Sequence, residues 1–432
     1  MSQGVIRKLQ EAGHQAFWVG GCVRDGLLGR SVKDRDVATS ALPDEVLAIF
    51  PDARVVGPRF GIAAVRDGED LVEIATFRRD CGYSDGRRPD RVIYTSDPRV
   101  DVLRRDFTVN AILHDPVSDS MLDFVGGERD LRRRLIRAVG DPLVRFREDR
   151  LRMLRAVRFA ASLDFEIEAA TLSAIRVCAP AIASVAAERI QIELTRILTE
   201  GGARRGFELL DRSGLLERLL PEVKALQGVE QPPEFHPEGD VWVHTMLMLD
   251  LLESPPATLA WGVLLHDVGK PDTFTMSDRI RFHGHVERGV ELTRRICSRL
   301  RFSNADTRQV VALVQDHMRF MAVRQMRPGK LRRFLEQPGF GEHLELHRVD
   351  CLSSHGKLAN YEFAAEGLRQ IEAEKPLPRL LTGRDLIEEG YVPGPVFREI
   401  LTEVEERQIE GEITGRDAAL AYVRMRFPVS GS

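Results

Sequence analysis

Two regimes of hydrophobic patterning divide the chain. Between residues 15 and 125, short apolar runs (AFWVG, RDVAT, ARVVG, IAAVRDG, DLVEIATF, VIYTS) alternate with turn-rich segments. Their β-branched and aromatic content, bounded by glycine, proline and aspartate, predicts the strands of a mixed α+β domain. From about residue 142 the period changes. EDRLRMLRAVRFAASL, AAERIQIELTRIL and RRGFELLDRSGLLERLL carry apolar residues every three or four positions, which predicts helices. The segment GVEQPPEFHPEGD (228–240), with three prolines, interrupts that pattern and marks a boundary. A histidine-rich helical block follows to about residue 335, and EKPLPRLLTG and YVPGPVF punctuate the last helical stretch. The expected division is a head (1–140), a helical neck (141–227), a third domain (228–335) and a helical tail (336–432).

Composition narrows the class. At 432 residues, 43% hydrophobic and 30% charged, the chain reads as a multidomain globular protein. Apolar runs such as ATLAWGVLLH fall short of the roughly 20 residues of a membrane span, so no membrane partner is expected. The formal charge of −4 excludes a uniformly basic nucleic-acid coat. A local stripe survives, because residues 129–158 hold eleven arginines against four acids. The five cysteines are scattered without a CxxC, and the amino terminus lacks a hydrophobic signal core; both point to a reducing, cytoplasmic setting. Nothing in the sequence sets an oligomeric state.

Candidate chemistry begins where Phe17–Gly21 reads as a strand entering a Gly20-Gly21 turn and then a helix carrying Arg24. Glycines there let backbone approach a phosphate. Thirteen residues on stands Asp34-Arg35-Asp36. Strand alternation puts Asp34 and Asp36 on one face, where they repel unless a cation lies between them. Such a pair can hold the Mg²⁺ ions of phosphoryl transfer, and an exposed acidic turn is the alternative. Glu73, in LVEIATF, is a candidate third carboxylate.

The run FWVGGCVRDGLLGRSVKDRDVAT resembles the head of the nucleotidyltransferase superfamily, in the branch containing class II CCA-adding tRNA nucleotidyltransferases and bacterial poly(A) polymerases. The resemblance continues in order through RRDFTVNAI (104–112), GGERDLRRRLIR (126–137), EDRLRMLRAVRF (148–159) and AAERIQIEL (186–194). It implies a polymerase β-like mixed-sheet head followed by all-helical domains. It also implies Mg²⁺-dependent, template-independent addition of CCA to tRNA from CTP and ATP.

In that setting Arg105 suits a triphosphate and Asp106 a ribose 2′-hydroxyl, with Asn110 a further nucleotide-binding candidate. On a helix, Asp149 and Arg152 share a face. Together they offer an acceptor and a donor matching the Watson–Crick edges of cytosine and adenine, whereas guanine and uracil present the reverse. The family's EDxxR motif carries this templating role, and Glu148, Asp149 and Arg152 match it. Arg155 and Arg158 are further nucleotide-binding candidates, although ordinary helix ion pairs fit them better. Glu188, Arg189 and Glu193 read as structural braces. The polar loop in RRDCGYSDGRRPDRV (78–92) resembles the family's flexible loop, which implies full CCA or A addition rather than CC addition. Residues 376–432 hold seven basic against ten acidic residues, unlike the basic tail of poly(A) polymerases, and favour tRNA as the partner.

Six of the eleven histidines fall between residues 236 and 317. His244, His266-Asp267 and Asp316 occur in the order H…HD…D, a ligand set suited to a divalent metal in a hydrolytic site. LLHDVGKP and RFHGHVERG resemble the HD phosphohydrolase superfamily, which implies phosphodiesterase or phosphatase activity with a metal of unassigned identity. His283 and His285 can meet a substrate phosphate, as can Lys270. His343, His347, Asp350 and His355 lie outside the motif. Two other readings stand beside CCA addition: an A-adding or poly(A) polymerase, and an HD phosphohydrolase whose head only binds RNA.

Overall fold

The computed structural model describes residues 3–32, 35–57, 61–68, 70–83, 86–234, 236–374 and 377–428. Asp34 therefore lies outside the described residues. Two compact units divide the chain. The first runs through Ala225 and takes in Glu253–Ala257 and Ile296–Phe302; the second comprises Leu226–Leu252, Thr258–Arg295 and the chain from Ser303 onward.

The first unit opens with α1 (Gly4–Glu11), β1 (Ala16–Val19), α2 (Gly21–Leu27), β2 (Arg35–Thr39) and α3 (Pro43–Ile49). There follow β3 (Arg54–Gly57), β4 (Ile62–Asp67), β5 (Asp70–Thr76), β6 (Arg78–Cys81), β7 (Arg91–Tyr94), α4 (Pro98–Leu103), β8 (Leu113–Asp115) and β9 (Ser120–Leu122). Seven of these strands form one mixed sheet in the order β3-β4-β5-β2-β1-β8-β9, while β6 and β7 pair as a separate hairpin. Only β2 and β5 run parallel within the large sheet.

Central β1 is buried along its whole length, as its sequence AFWV suggests. Phe17 and Val19 pack with Ala38, Phe77, Val102 and Leu113 on one face, and alternation sends fully buried Trp18 to the other. The carboxylate-bearing end of β2 is thus held between buried β1 and half-exposed β5.

Beyond the sheet come α5 (Gly127–Arg132), β10 (Leu135–Ile136), α6 (Pro142–Glu148), α7 (Arg152–Leu163), β11 (Glu166–Ile167), α8 (Ala169–Cys178), α9 (Ala187–Thr199), α10 (Ala203–Arg212), α11 (Leu215–Leu219) and α12 (Pro221–Lys224). EDRLR does not continue one helix. Asp141 caps α6 and Pro142 occupies its first turn, but the helix stops at Asp149, whose backbone is extended at φ −139° and ψ 107°. The Asp149 carboxylate instead accepts from Leu151 N at 3.1 Å. Aspartate competes with helical hydrogen bonding in this way, which makes it a poor interior residue and a good turn residue.

The second unit is helical: α13 (Val241–Asp250), most of α14 (Ala257–Leu265), α15 (Lys270–Thr273), most of α16 (His285–Arg299), α17 (Asn304–Asp316), α18 (Pro328–Leu335), α19 (Phe340–Ser353), α20 (Ala359–Ala373), α21 (Gly383–Glu388), α22 (Pro395–Ile409) and α23 (Arg416–Arg426). A short hairpin of β12 (Thr275–Met276) and β13 (Ile280–Arg281) lies between α15 and α16. Among the described residues, no helix is long and apolar enough to cross a membrane.

Candidate active site and candidate metal centre

Register explains the first site. Asp36 on β2 is the direct parallel partner of Glu73 on β5, so the two side chains leave the same face of the sheet on neighbouring strands. At the next strand Asp36 opposes Val19, the residue before the glycine turn. Gly20 has φ +80°, and a Cβ there would stand 3.2 Å from the Asp36 carboxylate. Glycine is required both for its left-handed backbone and for the close approach. Paired carboxylates on adjacent strands are a fitting donor set for a hard cation such as Mg²⁺.

A cavity of about 880 Å³ joins this turn to the helices. Its walls include Gly20, Gly21, Arg24, Asp36, Arg105 and Asp106. Asn110, Asp149, Arg152, Arg155 and Arg158 complete the set expected from the sequence, while Glu73 is not among its lining residues.

Most of these side chains belong to one polar network. Arg24 forks onto Asp25 at 2.9 Å and gives its remaining nitrogen to Asn110 at 2.7 Å. Asn110 donates to Asp106, which also takes Phe107 N and two bonds from Arg155. Four donors fill a carboxylate. Asp106 therefore orders Arg155 and Asn110 here rather than standing open for a ribose hydroxyl. Burial would raise its pKa, but the Arg155 charge and hydrogen bonds prevail and hold it at about 2. Arg105 pairs with Asp101 at 2.9 Å and keeps a buried Nε–H without a partner.

Asp149 and Arg152 do not share a helix, yet the cavity unites them. Arg152 is braced by Glu148 at 2.7 Å and by the carbonyls of Arg145 and Arg104. Asp149 receives Arg189 from α9 at 3.0 and 3.4 Å. With Leu151 N also bound, one acceptor position remains on Asp149, and Arg152 retains unused N–H groups. An acceptor and a donor therefore remain for a base edge. Arg189, which the sequence suggests as a brace for the helix, bears directly on the Asp149 carboxylate; its only signal is membership of the ERIQIEL block. Arg158 is 3% exposed and paired with Glu193 at 2.7 Å and Glu200 at 3.1 Å, a buried ion pair across to α9 rather than an ordinary pair along a solvated helix.

The second unit assembles the histidines differently. Gly269 allows this: a Cβ there would come 2.1 Å from the His285 carbonyl and 2.6 Å from Gly289 N. That close crossing brings His266-Asp267 against the start of α16. His266, His285 and His317 each direct Nδ1 to a backbone carbonyl, those of Val263, Phe282 and Val314, at 2.7–2.9 Å. Their Nε2 atoms, and that of His244, are buried without a hydrogen-bond partner. A carbonyl on Nδ1 leaves the Nε2 lone pair free, the arrangement found in metal-ligating histidines.

Three candidate ligand sets result among the described residues, His236–Glu238–His244, His244–His266–Asp350 and Asp267–His285–His317, with the donor atoms of each set within 4.8 Å of one another. Asp316 joins none of them. It ends α17 and accepts from Arg319 at 3.3 Å, whereas the adjacent His317 supplies the inward ligand atom. Asp350, outside the sequence motif, stands 3.2 Å from His244 Nε2. Lys270 lies 2.6 Å from Asp267 and 2.6 Å from Gln231. Burial opposes the charged form of His244, but the neighbouring Asp350 and Glu238 carboxylates push its pKa up to about 9. Burial takes His317 down to about 4. The carboxylates thus favour positive charge at His244, while burial keeps His317 a neutral imidazole.

Three family models match the chain: the Poly A polymerase head domain over residues 16–137, the probable RNA and SrmB-binding site of polymerase A over 164–227, and the HD domain over 240–345. The CCA-adding enzyme of Geobacillus thermodenitrificans is 45% identical over 49% of this chain and 52% of its own length. That of Lactococcus lactis is 33% identical over 96% of this chain and 94% of its own. The crystal structure of the Bacillus stearothermophilus CCA-adding enzyme in complex with CTP superposes with a TM-score of 0.74 at 28% identity, covering 98% and 97% of the two chains. With that near full-length similarity on both counts, the chain belongs to the CCA-adding enzyme family.

Proposed function

We infer that the protein appends CCA to tRNA 3′ ends, using CTP and ATP and no nucleic-acid template. The observation that carries this reading is the single cavity holding the Gly20–Gly21 turn, Asp36, Arg105 and the Asp149–Arg152 pair together. The triphosphate lies along the glycine turn, where Arg105 offers its unpaired Nε–H. Asp149 accepts from the amino group of cytosine or adenine, and Arg152 donates to the adjacent ring nitrogen. Uracil and guanine leave both groups unsatisfied, so rejection comes from buried polar mismatch.

In the transfer, the RNA 3′-oxygen bonds to the α-phosphorus, the bond from that phosphorus to the oxygen bridging to the β-phosphate breaks, pyrophosphate leaves with that oxygen, and the hydroxyl proton passes to solvent. Mg²⁺ held by Asp36, by Asp34 as its sequence partner and by neighbouring Glu73 would supply the charge stabilisation this reaction needs. Positioning does the rest, because no protein nucleophile enters the reaction.

The second centre supports a further activity, metal-dependent hydrolysis of a phosphate ester. Four buried Nε2 atoms without a hydrogen bond, gathered with carboxylates within ligand distance of one another, carry that reading. His244, His266 and Asp350 would hold one divalent ion, and Asp267, His285 and His317 another. Lys270 lies where it can meet a substrate phosphate.

Incubating a tRNA that ends at its discriminator base with each NTP separately tests the main reading. CTP should be incorporated first, and ATP only after two cytidines. Failure to use CTP overturns it, and ATP incorporation from the start would identify an A-adding or poly(A) polymerase.

A further inference from the structure

One buried carboxylate stands directly behind the nucleotide cavity. Asp101 lies on α4, a helix that Asp97 caps through Arg99 N at 2.9 Å and that Pro98 opens. Val102 anchors the same turn in the core beside Phe17 and Val19. Asp101 is 1% exposed and is not among the cavity's lining residues, so it can influence a substrate only through its neighbours.

Those neighbours are two consecutive arginines, and both line the cavity. Oδ1 of Asp101 accepts from the Arg104 side chain at 2.9 and 2.6 Å and from Arg78 N at 3.3 Å; Oδ2 accepts from Arg105 at 2.9 Å. Asp80 offers Arg104 only a contact of 3.9 Å, so Asp101 is the counter-charge that holds the pair. Burial works against the charged form of Asp101, but Arg105 and Arg104 keep its carboxyl below the usual range and therefore ionised at neutral pH.

The two arginines carry that constraint in different directions. Arg105 gives one terminal nitrogen to Asp101 and keeps a buried Nε–H without a partner. A guanidinium is planar, so fixing one nitrogen aims the others. A buried donor left unpaired is costly until a ligand meets it, which a carboxylate serving stability alone would not leave behind. Arg104 acts through its backbone, whose carbonyl accepts from Arg152 at 3.0 Å. We propose that Asp101 is a positioning residue for nucleotidyl transfer: by holding Arg104 and Arg105 in one turn, it aims the Arg105 Nε–H at the triphosphate and ties that contact to the arginine that reads the base. This rests on the reading of Arg105 as a triphosphate ligand given above.

The test compares the full-length protein with Asp101→Asn, Asp101→Glu, Arg105→Ala and the Asp101→Asn/Arg105→Ala double variant, each checked for folding by thermal melting. Two quantities are read: KM and kcat for CTP incorporation into tRNA, and the calorimetric Kd of inorganic tripolyphosphate with Mg²⁺ in excess, a probe that has the phosphates and no base. Asp101→Asn keeps the shape and removes the charge, so KM and Kd should both rise about tenfold while kcat changes less than about threefold. In the Arg105→Ala background the same substitution should add less than about twofold, because the group it aims is gone. Asp101→Glu, which keeps the charge, should recover most of the affinity. Unchanged KM and Kd in a folded but less stable Asp101→Asn protein overturn the proposal and leave a structural role. Effects that multiply in the double variant overturn it as well, as does failure of both single Asp101 variants to fold. Normal tripolyphosphate binding by Arg105→Ala would instead remove the ligand from Arg105, so the underlying reading fails by a result distinct from those.

Discussion

The two centres are organised on opposite principles. Around the nucleotide cavity most charged side chains have a protein partner: Asp106 holds Arg155, Arg189 holds Asp149, Glu148 holds Arg152 and Glu193 holds Arg158. In the second unit, four imidazole Nε2 atoms converge without a hydrogen bond, two of them, those of His244 and His266, facing carboxylates at 3.2 and 3.0 Å. A satisfied network costs little to maintain and fixes donors and acceptors in place before substrate arrives. An unsatisfied buried cluster is costly until something binds it. The first centre is built to select among ligands by hydrogen-bond pattern; the second is built to be completed by cations.

Removing a partner from the first network should therefore be expensive. Glu193→Ala leaves Arg158 in the core with only Glu200, itself about one-third exposed, for compensation. A loss of about 3 kcal/mol in chemical denaturation is expected, because an unpaired buried charge retains its desolvation cost. A loss below about 0.5 kcal/mol would mean that the network contributes little to order. Next in size is selectivity. Asp149→Ala should reduce discrimination between CTP and UTP by about 100-fold, measured as the ratio of kcat/KM values. Retained discrimination would place base reading elsewhere in the cavity.

Strand patterning was readable from the sequence because period-two runs with buried aromatic and β-branched residues have few other uses. AFWVG, RDVAT, ARVVG, IAAVRDG, DLVEIATF and VIYTS all contain strands, and the helical remainder follows the change of period. Three features escaped for identifiable reasons. The break at Asp149 arises from a side chain-to-backbone bond to Leu151, which competes with a strongly periodic helical pattern. The HD ligands were assigned by motif order, which selected Asp316; the fold brings in the adjacent His317 and distant Asp350 instead. A sequence cannot show which of two neighbouring polar residues turns inward at the end of a helix. Glu73 was suggested by its strand, but only the parallel register places it beside Asp36.

The division of labour between the centres is tested most directly by one paired experiment. Asp36→Asn and His266→Ala variants are assayed for CTP incorporation into tRNA and for thermal stabilisation by manganese. Asp36→Asn should reduce incorporation by about 10³-fold, corresponding to several kcal/mol of lost transition-state stabilisation, while the manganese-induced rise in Tm attributable to the histidine centre persists. His266→Ala should do the reverse, abolishing that rise and leaving incorporation intact. Full incorporation by Asp36→Asn, or loss of incorporation in a folded His266→Ala protein, would contradict the assignment of nucleotide transfer to the first centre alone.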